Sequence, residues 1–185
     1  MTFQIGIIVG SLRKDSFNLQ LAKNLVEYFP DPFKLEIIQI GQLPLYNQDL
    51  DTSQPESVLD FKAKLESKHG IIFVTPEHNR SIPAALKNAL DHGTRPWGNN
   101  SWNKKPACVI GTSKGSLGAA LAQSHLRSIL TMLNMPTMQQ PDVFLQWNDD
   151  ILQEDGKFVE RTDKYLRSWA ESTTSFFVSA LRTDN

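Results

Sequence analysis

Short apolar runs, rich in β-branched residues, punctuate the chain at 3–9, 35–40, 70–75, 107–111 and 143–146. Each is apolar at consecutive positions rather than at every second one, the pattern of strands covered on both faces. Between them the apolar residues recur at helical spacing. Phe17, Leu21, Leu25 and Tyr28 form one stripe within 16–29, and Ala122, Leu126, Ile129, Leu130 and Leu133 another within 118–134. Leu166, Trp169, Thr173, Phe177 and Leu181 form a third near the C-terminus. This alternation predicts an α/β fold of βα units around a parallel sheet. Start signals agree: 53–56 reads SQPE, with capping-box spacing and Pro55 inside it, and Pro83 is placed to open a helix.

Composition narrows the function class. The chain has 185 residues, 40% of them hydrophobic and 21% charged, which predicts one folded domain over 1–185. Its formal net charge is -1 and no basic stripe stands out, so nucleic acid is not an expected partner. Cys108 is the single cysteine and cannot pair within the chain, which points to a reducing, cytoplasmic setting. No basic leader precedes the first apolar run and no run reaches the length of a membrane span, so a soluble protein is expected. His69, His78, His92 and His125 lack metal-ligand spacing, and no metal site is expected.

The candidate chemistry begins where the first strand ends. Residues 10–18 read GSLRKDSFN. Ligands of open parallel sheets bind beyond the carboxyl ends of the strands. A helix starting near Ser16 would turn its free N–H groups and positive dipole end toward the same turn. Gly10 lets the backbone leave the strand sharply, Ser11 and Ser16 carry hydroxyls, Asn18 a carboxamide and Arg13 a permanent charge. Together they predict a phosphate site, with Asp15 turned to solvent. Taken singly, Ser16 reads as an N-cap and Arg13 as a solvated loop residue; the conjunction carries the prediction. Neither G-x-G-x-x-G nor G-x-x-x-x-G-K-[ST] occurs, which leaves a Rossmann dinucleotide site and a triphosphatase loop unsupported.

After the third strand the chain reads TPEHNRSIPAALKNALDH over 75–92. GSLRKDSFN and this segment together resemble the NADPH-dependent FMN reductase family of flavodoxin-like proteins, particularly its quinone and chromate reductase branch. The usual family patterns are G-S-x-R-x-x-S-x-N and P-E-Y-N. PLY at 44–46 and SHLRSIL at 124–130 extend the resemblance over nearly the whole chain. It implies a three-layer sandwich with helices on both faces of a five-stranded parallel sheet, order 2-1-3-4-5. It also implies noncovalent FMN, with Ser11, Arg13, Ser16, Phe17 and Asn18 around the phosphate and Pro76, Glu77, His78 and Asn79 beside the isoalloxazine. NAD(P)H would be the donor, and quinones, free flavin, azo compounds or chromate the acceptors. Family members form homodimers or homotetramers. His78 stands where the family has tyrosine and puts a titratable ring at the flavin's edge.

The turn after the fourth strand, GTSKGSLGAA over 111–120, places Ser113 near the flavin's pyrimidine side in similar proteins. The family's paired glycines are here separated, Gly115 and then Gly118. Lys114 reads as a solvated lysine or as a cation near a reduced flavin. GTSKG also satisfies the G-x-S-x-G of a nucleophile elbow, but no acid lies between Ser113 and His125, the last histidine, which counts against a hydrolase. An electron carrier without NAD(P)H oxidation is the other alternative. Trp97 and Trp102 lie in a polar stretch, 93–105, where each either caps a local cluster or meets a second subunit.

Overall fold

The computed structural model describes residues 2–182. Its strands are β1 (Phe3–Val9), β2 (Phe33–Ile38), β3 (Gly70–Val74), β4 (Ala107–Ser113) and β5 (Phe144–Gln146). The helices are α1 (Phe17–Val26), α2 (Glu56–Glu66), α3 (Ala84–Gly93), α4 (Ala120–Met132) and α5 (Glu160–Arg182). The strands form one parallel sheet in the order β2-β1-β3-β4-β5. This is the flavodoxin-like arrangement the sequence predicted.

Alternation along each strand divides the apolar residues between two cores. Ile5, Ile7, Ile72, Val74, Cys108 and Ile110 pack with Leu21 and Leu25 of α1 and with Leu166, Trp169 and Phe177 of α5. Ile8, Ile71, Phe73 and Val109 face the other way, onto Phe61 and Leu65 of α2, Leu86 and Leu90 of α3 and Leu126 and Leu130 of α4. The continuous apolar runs are therefore a two-faced pattern, each face with its own helices.

Three local expectations change. Helix α2 starts one residue after Pro55, which is extended at the N-cap and supplies no side-chain bond, so Ser53 lies outside the helix and the capping box does not form. Pro83 is likewise the extended cap residue of α3 rather than its first helical residue. The two indoles part company: Trp102 is fully buried against Phe61 and Phe73 and donates Nε1–H to the Leu90 carbonyl at 3.0 Å, whereas Trp97 is 84% exposed. A side chain at Gly93 would put its Cβ 2.2 Å from Trp102 Nε1, so that glycine is what admits the ring.

Candidate functional site

The strand order reverses between β1 and β3: β2 lies on one side of β1, and β3, β4 and β5 follow on the other. At the carboxyl end of this switch point the chain leaves β1, β3 and β4 in separate loops, and a cleft of about 580 Å³ opens among them. Its lining contains Ser11, Arg13, Ser16, Phe17, Asn18, Pro76, Glu77, His78 and Ser113, nine of the ten residues singled out from sequence. Asn79 is not part of the lining.

In the first loop Ser16 is the N-cap of α1, its Oγ accepting from the Leu19 N–H at 3.4 Å. The N–H groups of Phe17 and Asn18, in the first turn, are left without intrahelical acceptors. Arg13 is exposed and lies over the Phe17 ring, Cζ 4.7 Å from its centroid; the ring itself stacks on Trp147 at 4.7 Å. The Asn18 side chain goes elsewhere. It is buried, donates Nδ2–H to the Thr112 carbonyl at 2.9 Å and accepts the Thr112 N–H on Oδ1 at 3.1 Å. Both polar atoms of the carboxamide thus pair with the backbone at the end of β4, and Asn18 keeps only its main-chain N–H for a ligand.

The second loop folds over itself. His78 and Ser81 exchange N–H to carbonyl bonds of 2.9 and 3.0 Å around Asn79 and Arg80, both left-handed at φ 50° and 67°. Asparagine tolerates that region and arginine does so at a cost in strain. The Glu77 carboxylate points away from solvent: Oε2 accepts from the N–H groups of Leu121 and Ala122 at 3.0 and 3.2 Å. Those are first-turn donors of α4, whose own cap residue, Ala119, has no side-chain oxygen. Four residues further on, His125 Nδ1 meets Ser81 Oγ at 3.1 Å. The second loop is therefore fastened at two points to one side of α4.

In the third loop Ser113 Oγ accepts from the Ala119 N–H at 3.1 Å and donates to the Gly115 carbonyl at 3.4 Å, closing the turn. Gly118, at φ 53°, packs so close to β5 that a Cβ would come within 2.5 Å of the Phe144 backbone. His125 pairs with Ser81 and the Ser113 hydroxyl is engaged within its own turn, so the two do not form the Ser–His pair of a nucleophile elbow.

The cleft also contains residues the sequence gave no reason to choose: Pro83, Ala84 and Ala85 at the start of α3, and Thr112. Pro83 makes no side-chain cap bond, and this second helix N-terminus opens into the cleft with its first-turn donors unpaired among the described residues. The available signal was the lack of Ser, Thr, Asp or Asn immediately before α3. Trp147, which supports Phe17, lies too far along the chain to be linked to it by spacing.

Comparison with known proteins agrees with this architecture. The chain is 44% identical over 172 residues to a 2-hydroxy-1,4-benzoquinone reductase of Burkholderia sp, covering 92% of this chain and 94% of the relative. It is 37% identical over 175 residues to a quinone reductase of Pseudomonas putida, covering 94% of each chain. Among solved structures, the flavoenzyme NAD(P)H:(acceptor) oxidoreductase FerB from Paracoccus denitrificans superposes with a TM-score of 0.92 at 40% identity, over 97% of this chain and 99% of that one. The family model for NADPH-dependent FMN reductase matches residues 3–148, a span that holds all five strands and the three loops of the cleft. By sequence and fold alike, the chain belongs to the NADPH-dependent FMN reductase family.

Proposed function

We propose that the cleft holds FMN noncovalently and that the protein uses NAD(P)H to reduce quinones or chemically similar acceptors. The observation that carries this reading is one cleft with two kinds of wall. On one side Arg13, without an ion-pair partner among the described residues, stands at the N-terminus of α1 beside the Ser11 hydroxyl and the first-turn N–H groups. That donor set suits a phosphate dianion. On the other side Pro76, Ala84 and Ala85 offer an apolar face, and the backbone at the start of α3 offers polar groups, as a flat heteroaromatic ring requires. The volume, about 580 Å³, falls within the roughly 300–1,000 Å³ of small-molecule and cofactor sites.

Held in this cleft, FMN would supply the hydride-accepting ring through which two electrons pass from the nicotinamide to an oxidised acceptor. What this chain contributes is orientation. Arg13 and the α1 N-terminus fix the phosphate end, the second loop is held rigid by Glu77 and Ser81, and the apolar wall keeps water from one side of the ring. No lining side chain is assigned a proton-transfer role. The relatives' activities, as their names give them, are those of quinone reductases and of an NAD(P)H:acceptor oxidoreductase, which supports a quinone acceptor here. We further propose a single-domain, cytoplasmic protein acting as a homodimer or homotetramer, with the exposed Trp97 indole at a subunit contact.

The test is to titrate flavin-stripped protein with FMN, then to follow NADPH and NADH oxidation with and without a benzoquinone. Stoichiometric FMN binding and quinone-dependent oxidation are expected. Failure to bind FMN at saturating concentration would overturn the reading.

A further inference from the structure

Lys114 belongs to no motif of the first two loops, yet the fold brings it to the first. Its Nζ lies 5.4 Å from the centroid of the Phe17 ring, over which the Arg13 guanidinium also sits at 4.7 Å. Trp147 is stacked on the same ring, 21° from parallel, so two cations and an indole meet at Phe17. The main chain that carries Lys114 is fixed to the same support. Ser113 pairs with Gln146 across β4 and β5, Gln146 Nε2 donates to the Lys114 carbonyl at 3.2 Å, and the Trp147 N–H donates to the Ser113 carbonyl at 2.8 Å. The strand end that positions Trp147 under Phe17 therefore also positions Lys114 beside it.

Neither cation is neutralised in place. Arg13 makes no ion pair among the described residues, and Lys114 pairs with Asp149 at 3.5 Å, on a side chain 91% exposed, a contact that contributes little in water. Two like charges over one ring repel each other, and a compact anion between them turns that repulsion into two attractions. Phe17 is the first residue of α1, so the same place receives the positive end of the helix dipole.

We propose that Lys114 and Arg13 form a two-cation phosphate clamp across the Phe17 ring, with Lys114 supplied by the third loop. The assignment of its occupant as the FMN 5′-phosphate rests on the function proposed above. The same chemistry is present in the phosphates of the nicotinamide nucleotide, and the experiment separates the two sources.

Flavin-stripped protein and its Lys114→Ala, Lys114→Glu and Lys114→Arg variants are titrated with FMN and with riboflavin, which lacks the phosphate. KM is then measured for NADH and NADPH. Lys114→Ala is expected to weaken FMN binding about tenfold, the scale of one charge-assisted contact, and Lys114→Glu more. Riboflavin affinity should not move, Lys114→Arg should restore FMN affinity, and the difference should close at about 1 M salt, where the screening length is about 3 Å. A rise in KM for both nucleotides with FMN affinity unchanged would keep the clamp and assign it to the nucleotide's phosphates. Unchanged FMN affinity and KM, or an equal loss for FMN and riboflavin, would overturn it. A wild-type protein that binds no FMN would sink the function reading and the cofactor clamp together, whereas unchanged FMN affinity and KM, or the equal loss, sinks the clamp alone.

Discussion

The two sides of the cleft use polar residues in opposite ways. Around residues 10–17 the groups that suit an anion are left open: the Arg13 guanidinium is exposed and unpaired among the described residues, and the first-turn N–H groups of α1 have no intrahelical acceptors. At Glu77, Ser81 and Ser113 the corresponding groups are engaged inside the protein. Glu77 caps α4, Ser81 meets His125, and Ser113 closes its own turn. The first wall leaves its anion-binding groups open, and the second commits Glu77, Ser81 and Ser113 to the fold. The difference teaches that a polar residue beside a cofactor site is not thereby a ligand; its role depends on whether the fold has already supplied its partner.

The largest expected effect tests the residue that breaks the rule. Asn18 sits in the open loop but has both ends of its carboxamide on the Thr112 backbone. Asn18→Ala leaves a buried N–H and a buried carbonyl unpaired, and urea unfolding of the flavin-free protein should show a loss of about 3 kcal/mol. A stable variant with weakened FMN binding would instead move Asn18 back among the phosphate ligands. Next is Glu77. Glu77→Ala removes the cap of α4, about 1–2 kcal/mol in the same measurement. Glu77→Gln, which keeps an accepting oxygen, should lose less. If neither variant loses stability, the second wall is not held as described.

How much of this was legible in the sequence follows the same division. The strands, the α1 start at Ser16 and the placement of the cleft were readable because each depends on local pattern: consecutive apolar residues, helical spacing, a hydroxyl before a helix. The roles of Asn18 and Glu77 were not. Asn18 pairs with a residue 94 positions away and Glu77 with helix donors 44 and 45 away, so a carboxamide or carboxylate near a polar turn reads identically whether it faces a ligand or the interior. Trp102 and Trp97 repeat the point, since one polar stretch hides one buried ring and one exposed one. At α2 the error was local: Pro55, extended at the cap, moved the helix start past the serine that the box required.

Arg13→Ala sharpens the contrast from the open side and should have the smallest effect on folding. The side chain is exposed, makes no ion pair among the described residues, and touches the fold only through the face of Phe17. A cation–π contact at such a site contributes about 0.5–1 kcal/mol at most, so urea unfolding of the flavin-free variant should stay within that range of wild type. FMN binding should respond differently, because a guanidinium facing a phosphate gives up its hydration for charge-assisted hydrogen bonds and is then missed in full. A loss of about tenfold or more in affinity, about 1.4 kcal/mol, is expected, with riboflavin unaffected. The two measurements must separate for the open wall to be a binding surface. Equal losses in folding and in FMN affinity would make Arg13 part of the scaffold, and the contrast between the walls would fail at its most exposed residue.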